Sequence, residues 1–184
     1  MSTPINALSR MTAVTLQFSR PDPHAEGFMD RAISAAICKE TRSEICHVDI
    51  EMPGGTLIGA HIRDGIQERP ADYERWGLRI RVTVPVSLKQ QDDLYRYALS
   101  MVGTGYDSLD IFGLAVGDSR LHTDGKMICS GFASVAVDEK AHIVRVAKDH
   151  WQVNPEELRL VVTAIPGAME TRIEGDAAAQ GASA

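Results

Sequence analysis

The sequence predicts an α+β fold in which an antiparallel sheet packs against helices. Three observations predict it. Apolar and polar residues alternate over 12–18, 44–51, 56–62 and 78–84, which is the period of a strand. Pro53-Gly54-Gly55 separates two of these runs by a turn and makes them a hairpin. Helical spacing of apolar residues runs over 24–38 and 88–102, and again from Cys129 onward.

Each element follows from its residues. In 12–18, Val14, Leu16 and Phe18 share one face, and Pro21 and Pro23 end the strand. In 24–38, Phe28, Ala32, Ala35 and Ala36 lie along one stripe with Ile33 and Ile37 beside it. In 44–51, Ile45, His47 and Asp49 share one face and Cys46, Val48 and Ile50 the other; the second set is more apolar and should face the core. A hairpin centred on Gly54 pairs 50 with 58, 48 with 60 and 47 with 61, which sets His47 opposite His61. A slip of one residue would undo that pairing. Asp64-Gly65 is a turn, and 66–76 reads as a polar connection with aromatic anchors. Leu78, Ile80, Val82 and Val84 point inward from the next strand, with Arg79, Arg81 and Thr83 outward, and Pro85 closes it. Ser87 is an N-cap for a helix over 88–102, with Leu88, Leu94, Tyr95, Ala98 and Val102 inward. Residues 106–114 read as a short apolar helix and 117–126 as a loop. Asn154 followed by Pro155, Glu156 and Glu157 is an N-cap with proline at the first helical position. The division expected is one domain over 1–170 and a disordered tail over 171–184.

Composition narrows the function classes. With 184 residues the chain is long enough for a single well-packed core. The net charge is −6 and no basic run occurs, so nucleic acid is disfavoured as a partner. Three irregularly spaced cysteines make no disulfide framework, and no Cys-x-x-Cys pair marks structural zinc. No apolar run approaches the roughly 20 residues of a membrane span, and no signal peptide is visible. A soluble protein in a reducing, cytoplasmic compartment is the default expectation, with no cofactor.

The chemistry centres on Met127-Ile-Cys-Ser-Gly-Phe-Ala-Ser-Val-Ala-Val137, which follows the Asp124-Gly125 turn. Phe132, Val135, Ala136 and Glu139 place Cys129 at or beside a helix start. The positive end of a helix dipole and unpaired N–H groups favour a thiolate there, below the roughly 8.5 of a free thiol. Cys129 is therefore a candidate nucleophile as well as a small core residue. Cysteine catalysis needs an imidazole in reach and a third polar group to orient it. His47 is the candidate base, with His61 and Asp49 both near it in the hairpin. His24, His122, His142 and His150 lie in polar or loop surroundings and read as surface residues. A zinc set of Cys46, His47, His61 and Cys129 is disfavoured, because strand alternation turns Cys46 away from His47.

The order of these pieces resembles a known family, the circularly permuted papain-like amidases. These are relatives of the NlpC-type peptidoglycan hydrolases, including YiiX-type proteins, with lecithin retinol acyltransferase as a distant cousin. Ile45-Cys46-His47-Val48-Asp49-Ile50 is similar to the family's His-Val strand, and Leu57-Ile58-Gly59-Ala60 to its hairpin partner. Gly103-Thr104-Gly105-Tyr106-Asp107 resembles the segment before the nucleophile, Ile128-Cys129-Ser130 the nucleophile, and Asn154-Pro155-Glu156-Glu157-Leu158 the closing segment. The resemblance covers about residues 30–160. It implies a papain-like fold, Cys129 as nucleophile, His47 as base and an acyl-enzyme mechanism. It also implies amide bonds of peptidoglycan peptides, or acyl-lipid groups, as substrates. YiiX-type relatives often carry glutamate where this chain has Gly59, so the resemblance implies His61 as the third catalytic residue and Asp49 as the fallback. Asp107 would fix the loop beneath the site, and backbone N–H groups at the Cys129 helix start would form the oxyanion site. An envelope role without a signal peptide would need release on lysis or carriage in a phage particle. The alternative is a non-enzymatic assembly or binding protein that keeps the fold, in a phage or cell-envelope complex. Gly59 and the missing secretion signal motivate it.

Overall fold

The computed structural model describes residues 11–24, 28–61, 64–105 and 128–175. Six strands form one antiparallel sheet in the order β4-β3-β2-β1-β5-β6. They are β1 (Met11–Pro21), β2 (His47–Glu51), β3 (Thr56–His61), β4 (Gly65–Pro70), β5 (Trp76–Ser87) and β6 (Met169–Glu174). The helices are α1 (Phe28–Thr41), α2 (Leu88–Ser100), α3 (Cys129–Val135) and α4 (Pro155–Thr163). The α+β expectation therefore holds at the level of an antiparallel sheet with several helices.

The spine of the sheet is the pairing of β1 with β5, which runs from Met11↔Ser87 to Pro21↔Trp76. Every second residue of β5 is buried, as strict alternation requires. Leu16 sits between Ile50 of β2 and Val82 of β5, and Phe18 between Val48 and Ile80. These side chains join Leu94 and Ala98 of α2, Phe132 and Ala133 of α3, and Leu158 and Val162 of α4 in one core. Fully burying one such Leu or Phe is worth roughly 1.5–3 kcal/mol. Tyr97 of α2 stacks on Phe132 with ring centroids 5.8 Å apart, which fixes α3 against its neighbour.

The helix starts follow the capping chemistry in the sequence. Ser87 and Gln90 form a reciprocal capping box at α2, and Asn154 and Glu157 form one at α4, with Pro155 in its first turn. α3 passes directly into a π-helical turn over Ala136–Lys140, where the Ala141 amide bonds to the Ala136 carbonyl.

Several expectations need correction. Residues 65–70 form β4 rather than a loop connection; their polar side chains lie on an edge strand, where one-sided exposure hides the strand period. Pro85 does not end β5, which runs on to Ser87. The ladder to β6 has ended by Thr83↔Met169, so β5 is a sheet edge there, where a proline is tolerated. Residues 171–174, expected in a disordered tail, complete β6 and pair with Arg81 to Leu78. Arg172 bonds to Glu44 and Glu174, so charge rather than burial dresses this edge. On α1, Ala32, Ala35 and Ala36 are exposed and Ile37 is buried instead. On α2, Leu88 and Val102 are exposed, while Leu94 and Ala98 are buried as expected. The short helix expected over 106–114 and the loop over 117–126 lie outside the described residues, as do Tyr106, Asp107 and His122. No helix among the described residues is long and apolar enough to cross a membrane.

Candidate active site

The hairpin register follows the sequence reading: Ile50 pairs with Ile58 and Glu51 with Leu57. Carried three residues further, that register brings His47 and His61 together. Their rings lie 4.6 Å apart between centroids. Cys129 is the first residue of α3 and is buried, with Ile128 in extended backbone at the N-cap. The Cys129 sulfur is close enough to act on the charge of the His47 imidazole. A β-hairpin imidazole thus meets a thiol supplied some eighty positions later in the chain.

Asp49, not His61, holds the other side of His47. Its Oδ1 lies 2.9 Å from His47 Nε2, and the carboxylate is fully buried. Nε2–H therefore donates to Asp49, which leaves Nδ1 as the ring's second nitrogen. His61 sits one step back. Its Nε2 is 3.2 Å from the Tyr73 hydroxyl and 3.6 Å from Asp49 Oδ1. The Tyr73 hydroxyl donates to Asp49 Oδ2 at 3.3 Å. It accepts in turn from His61 Nε2–H, so one carboxylate gathers His47, Tyr73 and His61.

Charge follows this geometry. Burial alone would push His47 down, but the Asp49 carboxylate and the Cys129 sulfur beside it hold the imidazole well above its ordinary value. Burial would raise Asp49, yet the charge and hydrogen bond of His47, with His61 close by, keep it below the usual carboxylate range. His61 is pressed down to about 4, first by burial and then by His47. Burial and the Asp49 charge push the Tyr73 phenol above its ordinary value. The cluster therefore holds one imidazole poised to be positive and a second kept neutral.

Gly59 is what makes room for the carboxylate. A Cβ there would lie 1.8 Å from Asp49 Oδ1, so any side chain would evict it. The glycine at this position and the buried aspartate on the adjacent strand are thus one arrangement. The acid reaches the imidazole from β2, the strand that carries the imidazole itself. Gly65 acts similarly at the next strand, with φ of 72° and no space beside the Thr104 carbonyl. Ile66 and Gly103 exchange backbone hydrogen bonds with this segment at 2.8 Å, which ties residues 103–104 to β4.

Two further polar residues adjoin the cluster. Ser19 is the direct cross-strand neighbour of His47, and Gln17 that of Asp49. Both are buried, and Ser19 Oγ and Gln17 Nε2 have no hydrogen-bond partner. Gln17 is a polar position of the alternating run 12–18, its only sequence signal, and Ser19 lies one residue beyond that run. Tyr73 lay in a segment read as a connection, and no periodicity could have aimed it at Asp49.

The remaining histidines divide. His24 and His142 are exposed, as expected. His150 is not a surface residue: its side chain is only 18% exposed and its Nδ1 lies 3.0 Å from Ser134 Oγ. Of the disfavoured zinc set, Cys46 is absent from the cluster; its thiol faces the Ser19 carbonyl at 3.8 Å. His47, Asp49 and His61 do converge, with ligand atoms all within 4.8 Å of one another. No protein-family model matches this chain, and no curated protein matches it.

Proposed function

We propose that this protein is a cysteine hydrolase that cleaves an amide or ester bond through an acyl-enzyme on Cys129. The observation that carries the reading is a fully buried carboxylate that grips one nitrogen of His47, an imidazole on which the Cys129 sulfur also acts. His47 Nδ1 accepts the thiol proton as sulfur attacks the carbonyl carbon. The same proton passes to the leaving amine or alkoxide as that bond breaks. Water, deprotonated by His47, then cleaves the thioester and frees the acid. Asp49 supplies the orienting charge, and His61 with Tyr73 positions Asp49.

The order of an imidazole on a hairpin strand followed by a cysteine at a helix start supports the circularly permuted papain-like class. That class brings peptidoglycan peptides as the first substrates to try and acyl esters as the second. The competing idea of a non-enzymatic binding protein drew on Gly59. Asp49 occupies the space beside Gly59, so the lack of a glutamate does not leave His47 without an acid.

The test is residue-resolved alkylation. Iodoacetamide should label Cys129 faster than Cys38 or Cys46, with a rate that depends on His47. A panel of muramyl peptides, dipeptide amides and acyl esters should then yield turnover that Cys129→Ala abolishes. Equal, slow labelling of all three cysteines and no turnover on any member of the panel would sink the proposal.

A further inference from the structure

His47, Asp49 and His61 provide one group more than a hydrolytic relay needs. An imidazole base requires a single acid to orient it. Here a second imidazole faces the same carboxylate oxygen. Asp49 Oδ1 lies 2.9 Å from His47 Nε2 and 3.6 Å from His61 Nε2. Around tetrahedral Zn²⁺, with bonds of about 2.0–2.1 Å, neighbouring ligand atoms are roughly 3.3–3.4 Å apart. The two separations straddle that spacing. All three ligand atoms lie within 4.8 Å of one another, so the remaining separation has to close by at most about 1.4 Å to reach that spacing. The anchor is rigid, because Asp49 is held in the sheet beside Gly59 and its Oδ2 accepts from Tyr73. A hydrogen bond to the free oxygen of a ligating carboxylate is the usual outer support of a metal site.

We propose that His47, Asp49 and His61 bind a divalent transition cation of the Zn²⁺ class, and that the bound cation silences Cys129. Two imidazoles and one carboxylate suit such a cation and leave it open coordination positions. The set differs from the one weighed from sequence: Asp49 replaces the cysteines. The cation takes the place of the proton between His47 Nε2 and Asp49 and of the one that His61 Nε2 gives to Tyr73. Its charge then opposes protonation of the same ring at Nδ1, so His47 no longer accepts the thiol proton. The binding site stands on geometry alone; the silencing rests on the hydrolase reading.

The experiment is a calorimetric titration of Zn²⁺ into the full chain, paired with mass-resolved iodoacetamide labelling of Cys129. One Zn²⁺ per chain should bind. Affinity should fall at least about tenfold in His61→Ala and stay unchanged in Cys129→Ser. Asp49→Asn serves as a second ligand variant, and circular dichroism identifies any variant that fails to fold. Saturating Zn²⁺ should slow labelling, and EDTA should restore it. The absence of stoichiometric binding, binding indifferent to His61→Ala, or binding lost in Cys129→Ser would overturn the site. Binding that leaves the labelling rate unchanged would overturn the silencing. A thiol inert before any metal is added counts against the hydrolase reading and leaves the cation site standing.

Discussion

Helix α3 carries a hydroxyl or thiol engaged by histidine near each end, and the two ends differ in kind. At its start, Cys129 faces His47, which is backed by Asp49. Toward its end, Ser134 faces His150, whose Nε2 lies 3.2 Å from Glu139 and 4.0 Å from Asp138. On a list of residue types, both look like a nucleophile, a base and an acid. Geometry separates them. Ser134 Oγ is fully buried and donates its proton to the Gly131 carbonyl of its own helix at 2.9 Å. His150 Nδ1 must therefore donate to that oxygen, the wrong direction for a base. Asp138 is occupied by the Val146 amide. This second cluster is a clasp that pins residues 146–150 onto α3. The first has an acid buried at 0% exposure, against 51% for Glu139. On the proposed reading, the Cys129 cluster differs from the Ser134 cluster in the direction of one hydrogen bond and the burial of one carboxylate.

That contrast can be broken, starting with the thiol itself. Cys129→Ala should remove hydrolysis, a loss on the order of 10⁴–10⁶-fold in kcat, whereas Ser134→Ala should leave turnover intact. Steady-state rates on the best substrate of the panel check both. Asp49→Asn should cost as much as about 10⁴-fold, the scale for an acid that fixes the tautomer of a catalytic imidazole. It should also lower the pH at which His47 loses its proton, read from the pH profile of Cys129 alkylation. Gly59→Ala should destabilise the fold by roughly 1–3 kcal/mol through overpacking and displace the acid. Urea unfolding combined with labelling kinetics would show both effects; a variant as stable and as reactive as the parent would refute the role given to Gly59.

The acid side of the stability profile sharpens the comparison further. His61 is lowered from 6.5 to about 4, so between those values the unfolded chain binds a proton that the folded one does not. Stability should therefore fall as pH drops across that window, by roughly 3 kcal/mol in full. Asp49 adds to the loss at still lower pH, where its depressed carboxyl must protonate. His47 acts oppositely: its stabilisation is complete below about 6.5 and fades as pH rises through its elevated value. Replacing His61 with Gln should flatten the slope between about pH 4 and pH 6.5 in denaturant titrations. The smallest effect belongs to the clasp. His150→Gln should cost about 1–2 kcal/mol of stability and leave the alkylation rate of Cys129 unchanged.

Much of this was legible in the chain because it is local. Alternation over 78–84, the Pro53-Gly54-Gly55 turn, the two capping boxes and the helix start at Cys129 all depend on neighbours within a few positions. The hairpin register likewise carried His47 to His61, because turn length counts residues. The errors arose where tertiary context outweighs the local pattern. β4 and β6 are edge strands dressed with charge, and their pairing partners rather than their own periodicity define them. Ala35 and Ala36 looked like a core stripe only because small residues fit either side of a helix.

By itself the sequence determined an antiparallel hairpin that brings two histidines together, a helix that begins at a cysteine, and the residue types of the proposed thiol relay. Only the tertiary structure decided that Asp49 rather than His61 grips His47, that Tyr73 joins them, and that the Ser134–His150 pair is a clasp. The reason is physical. Hydrogen-bond direction and burial depend on atoms brought together from β2, β3, the 71–75 turn and α3, and no spacing along one strand encodes which oxygen a side chain will meet.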